Sequence, residues 1–286
     1  MTPLVDVEGR LRKMPVQADK PVSYTLTVGD TRLPLQDFLG KTVQIDFAGV
    51  IRCIHCNRKT GKSFNQGYCY PCFRKLAACD SCIMSPEKCH SHKGTCREPD
   101  WGETHCMTEH VVYLANSSGL KVGITRASQV PTRWIDQGAV EAIPMMRVAT
   151  RQLAGFVEVA CKQHVADRTN WRAMLKGDVP GLDLTAERDR VLTLIADDIG
   201  RLRQQYGDTS LRPVQEPGRS LSYPVRVWPA KVSSHNLDKT KTARGVVEGV
   251  KGQYLMLDTG VINIRKYTGY QVRFRVFPAS DTAGGN

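Results

Sequence analysis

The sequence predicts an α+β protein in which a small α/β domain follows a cysteine-rich segment and is flanked by β structure at both ends. Three observations carry this expectation. Nine of the ten cysteines fall within residues 53–106. Directly after them, two β-rich apolar runs bracket a turn and lead into helical patterns. Short runs with a period of two, or bounded by turn residues, fill the chain before the cysteines and again near its end. The expected segments are β structure at 1–50, the cysteine segment at 51–106, the α/β domain at 107–180, a linking helix at 181–210, a basic β domain at 211–277 and a disordered tail at 278–286.

In the first segment Val22, Tyr24, Leu26 and Val28 alternate with smaller or polar residues, and Gly29-Asp30 supplies a turn. Val43, Ile45 and Phe47 alternate again, with Gly49 expected to end the run. So few strands cannot bury their own faces, so residues 1–50 and 223–277 are expected to form one discontinuous β unit.

The cysteine segment opens with Cys53-x2-Cys56 and, twelve residues on, Cys69-x2-Cys72. Two thiolate pairs on tight turns make one tetrahedral zinc site, and metal binding then supplies folding energy that a small core cannot. Disulfides and an iron–sulfur cluster compete with this reading. A second zinc site is expected on Cys79, Cys82, Cys89 and Cys96, with Cys106, His90 and His92 as alternatives that spacing does not separate. Four protein ligands leave no open position, so both sites are expected to be structural, giving a zinc-ribbon-like segment.

The α/β domain begins with Val111-Val112-Tyr113-Leu114, then Asn116-Ser117-Ser118-Gly119, then Leu120-Lys121-Val122-Gly123-Ile124-Thr125-Arg126, which together read as a β-hairpin. Pro131 and Gly138 punctuate a short helix carrying Arg133 and Trp134. Ile143–Val148 reads as a third strand, and Thr150 as the N-cap of a helix. Leu153, Phe156, Val157, Ala160, Cys161, His164 and Val165 make that helix's apolar stripe, with Glu158 at its edge and His164 expected to be packed.

This stretch resembles the start of a GIY-YIG nuclease domain, whose two naming tripeptides lie about ten residues apart on neighbouring strands. Val111-Val112-Tyr113 and Lys121-Val122-Gly123 stand in their places, with no glycine in the first and Lys121 where the second has tyrosine. The resemblance implies a site of Tyr113, Gly123, Arg133, Glu158 and Asn170, with Lys121 as a departure that can supply positive charge near Tyr113. It implies metal-dependent phosphodiester hydrolysis on DNA or RNA, with Mg²⁺ or Mn²⁺ on Glu158, Arg133 on the scissile phosphate, and Tyr113 as base or orienter of the attacking water. Most of the chain is also similar to a bacterial protein family, without an established function, that joins zinc-ligand cysteines to such a domain.

Residues 183–206 read as one amphipathic helix, with Asp183 as N-cap and Gly207 as stop, followed by a linker at 208–222. Beyond it, Val225–Trp228, Gly245–Val250, Tyr254–Leu257, Val261–Ile264 and Val272–Phe277 suggest five strands closing a small barrel. Between 211 and 275 lie twelve basic residues and four acidic ones, with Tyr254, Tyr267, Tyr270 and Phe274 interleaved. Basic groups with aromatics suit single-stranded nucleic acid, where bases stack and phosphates pair. Arg126, Arg265 and Lys266 are the expected contacts. The competing reading makes the aromatics a core.

A net charge of +12 favours a polyanionic partner, and eight zinc-bound thiolates would reduce it to roughly +8 without changing its sign. No run of about 18 apolar residues implies a membrane span, and Met1–Arg12 lacks a signal's apolar core, so a soluble, cytoplasmic protein is expected. Glycine-rich phosphate loops, dinucleotide fingerprints and nucleophile elbows do not occur in the sequence. A nucleic-acid-binding module with an inactive site is the alternative function, and a zinc-stabilised protein adaptor a weaker one.

Overall fold

A computed structural model of the chain describes residues 2–278, so all but the first residue of the expected tail lies outside the described residues. The chain opens with β1 (Val5–Arg10), β2 (Val16–Gln17), β3 (Ser23–Val28), β4 (Thr31–Pro34), β5 (Thr42–Arg52) and β6 (Lys59–Thr60), then helices α1 (Tyr70–Lys75) and α2 (Pro99–His105). There follow β7 (His110–Asn116), β8 (Leu120–Arg126), α3 (Thr132–Asp136), β9 (Glu141–Val148), α4 (Arg151–Cys161), α5 (Trp171–Lys176), α6 (Leu184–Leu194) and α7 (Ala196–Tyr206). Last come β10 (Leu211–Pro213), β11 (Arg219–Ser220), α8 (Leu237–Thr240), β12 (Thr242–Lys251), β13 (Tyr254–Leu257), β14 (Gly260–Asn263) and β15 (Tyr270–Phe277). These make a mixed α+β protein of two compact units.

The first unit joins the chain up to Phe73 with Leu175–Gly177 and everything from Ser222 onward. Its main sheet runs β1-β15-β5-β12-β13-β14, so strands from the two ends of the sequence alternate within one hydrogen-bonded layer. The period-two pattern dictates which face is buried. Val43 and Ile45 of β5 stand opposite Val276 and Phe274 of β15, and all four are fully buried. The expected barrel is not formed. The sheet is open, because β5 separates β12 from β15, and β1 and β14 are left as its two edges. Val225–Trp228 is not a strand either: only Val225 bridges, to Gly249. Gly49 does not end β5. It sits at φ +77° inside the strand, where the register against β15 slips between Tyr270 and Val272, so this glycine marks a bulge.

The basic residues of this unit are less free than their number implies. Arg273 pairs with Asp6 at 2.6 Å, and Arg275 pairs with Asp46 at 2.7 Å, both acids coming from the N-terminal strands. Tyr267, Tyr270 and Phe274 are buried. These three aromatics therefore form core, and the expected stacking surface for bases loses them.

The second unit comprises Arg74–Met174 and Asp178–Leu221. Its sheet runs β10-β9-β7-β8 with β11 also on β9, so the expected linker at 208–222 in fact contributes two short strands to the β9 edge. Central β7 is buried along its whole length, which explains its uninterrupted apolar run. Helix α4 begins at Thr150, whose hydroxyl accepts from the Leu153 N–H at 3.3 Å, and its buried face covers β8 and β7. The helix ends at Cys161, earlier than the stripe implied, and leaves His164 exposed rather than packed. The helix expected over 183–206 breaks in two at Ile195. Thr193 donates its hydroxyl back to the Asp189 carbonyl at 2.9 Å, a bond that bends helices, while buried Ile195 holds the joint in the core.

Candidate active site and cysteine metal centre

The hairpin places its chemistry on one face. Tyr113 is registered opposite Gly123, and Ala115 opposite Lys121, so Tyr113, Gly123 and Lys121 share a side of the β7–β8 ribbon. A Cβ on Gly123 would lie 2.7 Å from the Tyr113 hydroxyl oxygen, so only glycine lets the ring lie across β8. On its other flank β7 meets β9 with a register slip at Tyr113, which faces Pro144 there. Bulges of this kind re-aim a side chain beside a site.

Tyr113 is fully buried, donates its hydroxyl to Gln137 Oε1 at 3.0 Å, and leans on Trp134 with ring centroids 5.8 Å apart. Burial pushes its pKa up to about 12, against the opposing influence of the Arg133 charge. The hydroxyl stays neutral at physiological pH. Lys121 is also buried, and its Nζ donates to Thr169 Oγ1 at 3.1 Å. Burial, reinforced by the Arg133 charge, brings its pKa down to about 8, while Asp167 and Glu158 act the other way. Glu158 lies at the edge of the buried face of α4, 14% exposed, with Oε2 3.3 Å from Lys162 Nζ. Lys162 in turn pairs with Asp167 at 3.3 Å.

The charges of Arg133 on α3 and Glu158 on α4 both act on Tyr113 of β7 and Lys121 of β8. Asn170 plays a different part. It is exposed, its Oδ1 accepts from the Ala173 N–H at 3.2 Å as the cap of α5, and its own N–H donates to Ser118 Oγ at 3.0 Å. Arg126 ends β8 half-buried. Arg265 and Lys266 lie in the first unit, the former half-buried, the latter exposed with Nζ 5.1 Å from the Tyr267 ring centre.

Sequence reasoning missed Gln137, Thr169, Lys162 and Asp167. Lys162 alone had a visible signal, since it stands four residues after Glu158 on a helical pattern. The others are joined to their partners only by the fold.

In the first unit the sulfurs of Cys53, Cys56, Cys69 and Cys72 all lie within 4.8 Å of one another. Cys56 and Cys69 Sγ are 3.7 Å apart. A tetrahedral ion with Zn–S bonds of about 2.3 Å has edges of ~3.8 Å, so the spacing fits a four-thiolate ion. A disulfide requires about 2.05 Å, so the sulfurs are not bonded. Burial opposes ionisation of Cys53, yet the backbone N–H groups of Cys56, Cys69 and His55 outweigh it and lower the pKa of that thiol. Burial and the neighbouring sulfurs raise that of Cys72. A dication would replace the protons these sulfurs now contest. The donor set is consistent with structural zinc.

The second cysteine set is less closely gathered than the first: Cys82 lies in the field of Cys89, Cys96 and Cys106, and Cys106 in that of Cys89 and Cys96. Among the described residues, the other ligand atoms that meet within 4.8 Å belong to Asp80, Cys82 and His90, without Cys79, Cys89 or Cys96. Cys79 and Cys82 lie in successive single-turn helices, Ala77–Cys79 and Ser81–Ile83, rather than on one shared turn as Cys53 and Cys56 do.

Residues 40–272 match the family described as Protein of unknown function (DUF2797). The chain belongs to that family. The matched span runs from just before β5 into β15, so it takes in both the four-cysteine centre and the Tyr113 hairpin. Comparison with curated proteins and with solved structures gave no match.

Proposed function

We propose that this member of the family is a divalent-metal-dependent nuclease that hydrolyses phosphodiester bonds in DNA or RNA. In this reading the second unit is a divergent GIY-YIG-like domain, and Cys53, Cys56, Cys69 and Cys72 hold a structural zinc ion. The observation that supports it is that Tyr113 and Lys121 share one face of the hairpin, within the electrostatic reach of Arg133 and Glu158. The positive charges of Lys121 and Arg133 suit a phosphodiester better than a neutral substrate.

Arg133 offers a planar fork to the phosphate, beside the Tyr113 hydroxyl. Tyr113 serves as orienter rather than base, because its proton is held too tightly at neutral pH. Lys121, with its pKa near 8, is the better group to carry a proton. A Mg²⁺ or Mn²⁺ on Glu158 would polarise the phosphate and offset its developing charge. Glu158 fits that part as a hard, partly exposed oxygen donor, but its Oε2 is paired with Lys162, which such an ion would have to displace.

One observation favours the alternative of a nucleic-acid-binding protein without catalysis: Tyr113 is fully buried behind its own hydrogen bond. Glu158→Gln separates the two. Nucleic-acid binding should survive it, and Mg²⁺- or Mn²⁺-dependent cleavage should fall by several orders of magnitude. No cleavage by the wild-type protein across metals and substrates would establish the binding reading. Cleavage that persists in both Glu158→Gln and Arg133→Lys would place the activity elsewhere.

A further inference from the structure

Residues 80–90 carry a cluster that the four-cysteine centre and the cleft leave unexplained. His90 Nε2 lies 3.4 Å from Asp80 Oδ2, and one ligand atom each of Asp80, Cys82 and His90 lie within 4.8 Å of one another. Two N/O ligands on one tetrahedral ion, with bonds of about 2.0–2.1 Å, stand ~3.3 Å apart, which is the separation seen. An Asp–His hydrogen bond would be shorter, at about 2.7–2.9 Å.

The surroundings orient these side chains as outer partners of a metal site do. Asp80 is 7% exposed, its Oδ1 accepts from the Ser81 N–H at 2.6 Å, and its Oδ2 meets Arg97 Nε at 2.9 Å. The other ring nitrogen of His90, Nδ1, is 2.7 Å from Thr95 Oγ1, which fixes the ring so that Nε2 faces Asp80. His90 is 29% exposed and Cys82 half-buried, so the cluster opens toward solvent.

We propose that Asp80, Cys82 and His90 form a second metal site, for a zinc-like dication, with mixed oxygen, sulfur and nitrogen donors and a fourth position open to solvent. Three protein ligands leave a coordination position that water can occupy, unlike a closed four-thiolate centre. The site makes Cys79 a packed thiol rather than a ligand, in keeping with its burial at 7% exposure. This inference stands independently of the nuclease reading.

The test is a cobalt titration of the full-length, metal-stripped protein, read by thiolate-to-cobalt charge-transfer absorption. Two equivalents should bind, one with four thiolates and one with a single thiolate, so the weaker band increment should be about a quarter of the stronger. Asp80→Asn and His90→Gln should each abolish the smaller increment, and Cys79→Ser should leave it intact. Two increments of equal size would overturn the proposal in favour of a second four-thiolate site. Binding of a single equivalent would reduce the cluster to an ion pair. A smaller increment that survives His90→Gln would also overturn it. The wild-type increments decide between one and four thiolates even where a variant fails to fold.

Discussion

At the scale of single residues, burial raises the pKa of Tyr113 and lowers that of Lys121, favouring the neutral form of each. Lys121 titrates near 8 in the fold against 10.5 when free. Below pH 8 it is a cation beside Arg133, and above it the charge is lost. Affinity for a nucleic acid bound in the cleft should therefore fall as pH rises through about 8, and Lys121→Arg, which stays charged, should flatten that fall. An unchanged profile in fluorescence-anisotropy titrations would remove Lys121 from the binding surface. His110 gives a second pH effect. Burial, only partly offset by the Thr108 carbonyl on Nδ1, lowers its pKa from 6.5 to about 4. The unfolded chain takes up that proton before the fold does, so stability is lost as pH falls from 6.5 toward 4, by up to about 3 kcal/mol. His110→Leu should make the urea midpoint fall less steeply across this window than it does in the wild type.

At the scale of elements, two side chains and a glycine show how the cleft is held. Gly155 of α4 packs so closely on the 3-10 turn Pro86–Lys88 that a Cβ would stand 2.6 Å from the Glu87 backbone nitrogen. Gln152 on the same helix donates to the Cys89 carbonyl at 3.0 Å, and Arg151 Nη2 to the Ile83 carbonyl at 2.8 Å. The helix that carries Glu158 is thus braced by the loop between Cys82 and Cys89. Gly155→Ala should destabilise by about 2 kcal/mol, since backbone rather than a flexible side chain must move, and should displace Glu158. Its readout is the urea midpoint together with cleavage, and a change in neither would show that the loop does not brace the helix.

Much at this scale was legible in the sequence. The Tyr113 hairpin, the Arg133 helix and the Thr150 cap follow from local turn and cap chemistry, which neighbours in sequence determine. The open sheet was not legible, because strand order depends on pairing across some 200 residues. The Asp80–Cys82–His90 cluster was not legible, because Asp80 lies inside a Cys79-x2-Cys82 spacing that reads by itself as a ligand pair. Asn170 matched its expected position but serves a helix cap, a role its residue type suits equally well.

At the scale of the whole molecule, no helix among the described residues is long and apolar enough to cross a membrane. The charge expected to attract nucleic acid remains, though acids from the N-terminal strands meet part of it. Replacing Arg265 and Lys266 by Ala should reduce the slope of log affinity against log salt by about one unit for each phosphate no longer neutralised. An unaltered slope would move the binding surface to the cleft. Elemental analysis offers a coarser check: Cys53→Ser should lose one zinc ion per chain and much of the stability of the first unit, and Cys161→Ser should lose no metal. The interleaving of β5 with β12 and β15 also has a consequence in time. On a ribosome adding about 5–20 residues each second, β5 waits roughly 10–40 s for β12 to be made. Throughout that interval the apolar edge of β5 is without its partners. The second unit, whose sequence is complete by Leu221, can fold first. The nascent chain is therefore most exposed to aggregation through the strand Thr42–Arg52, and a chaperone that binds extended apolar segments would find its substrate there.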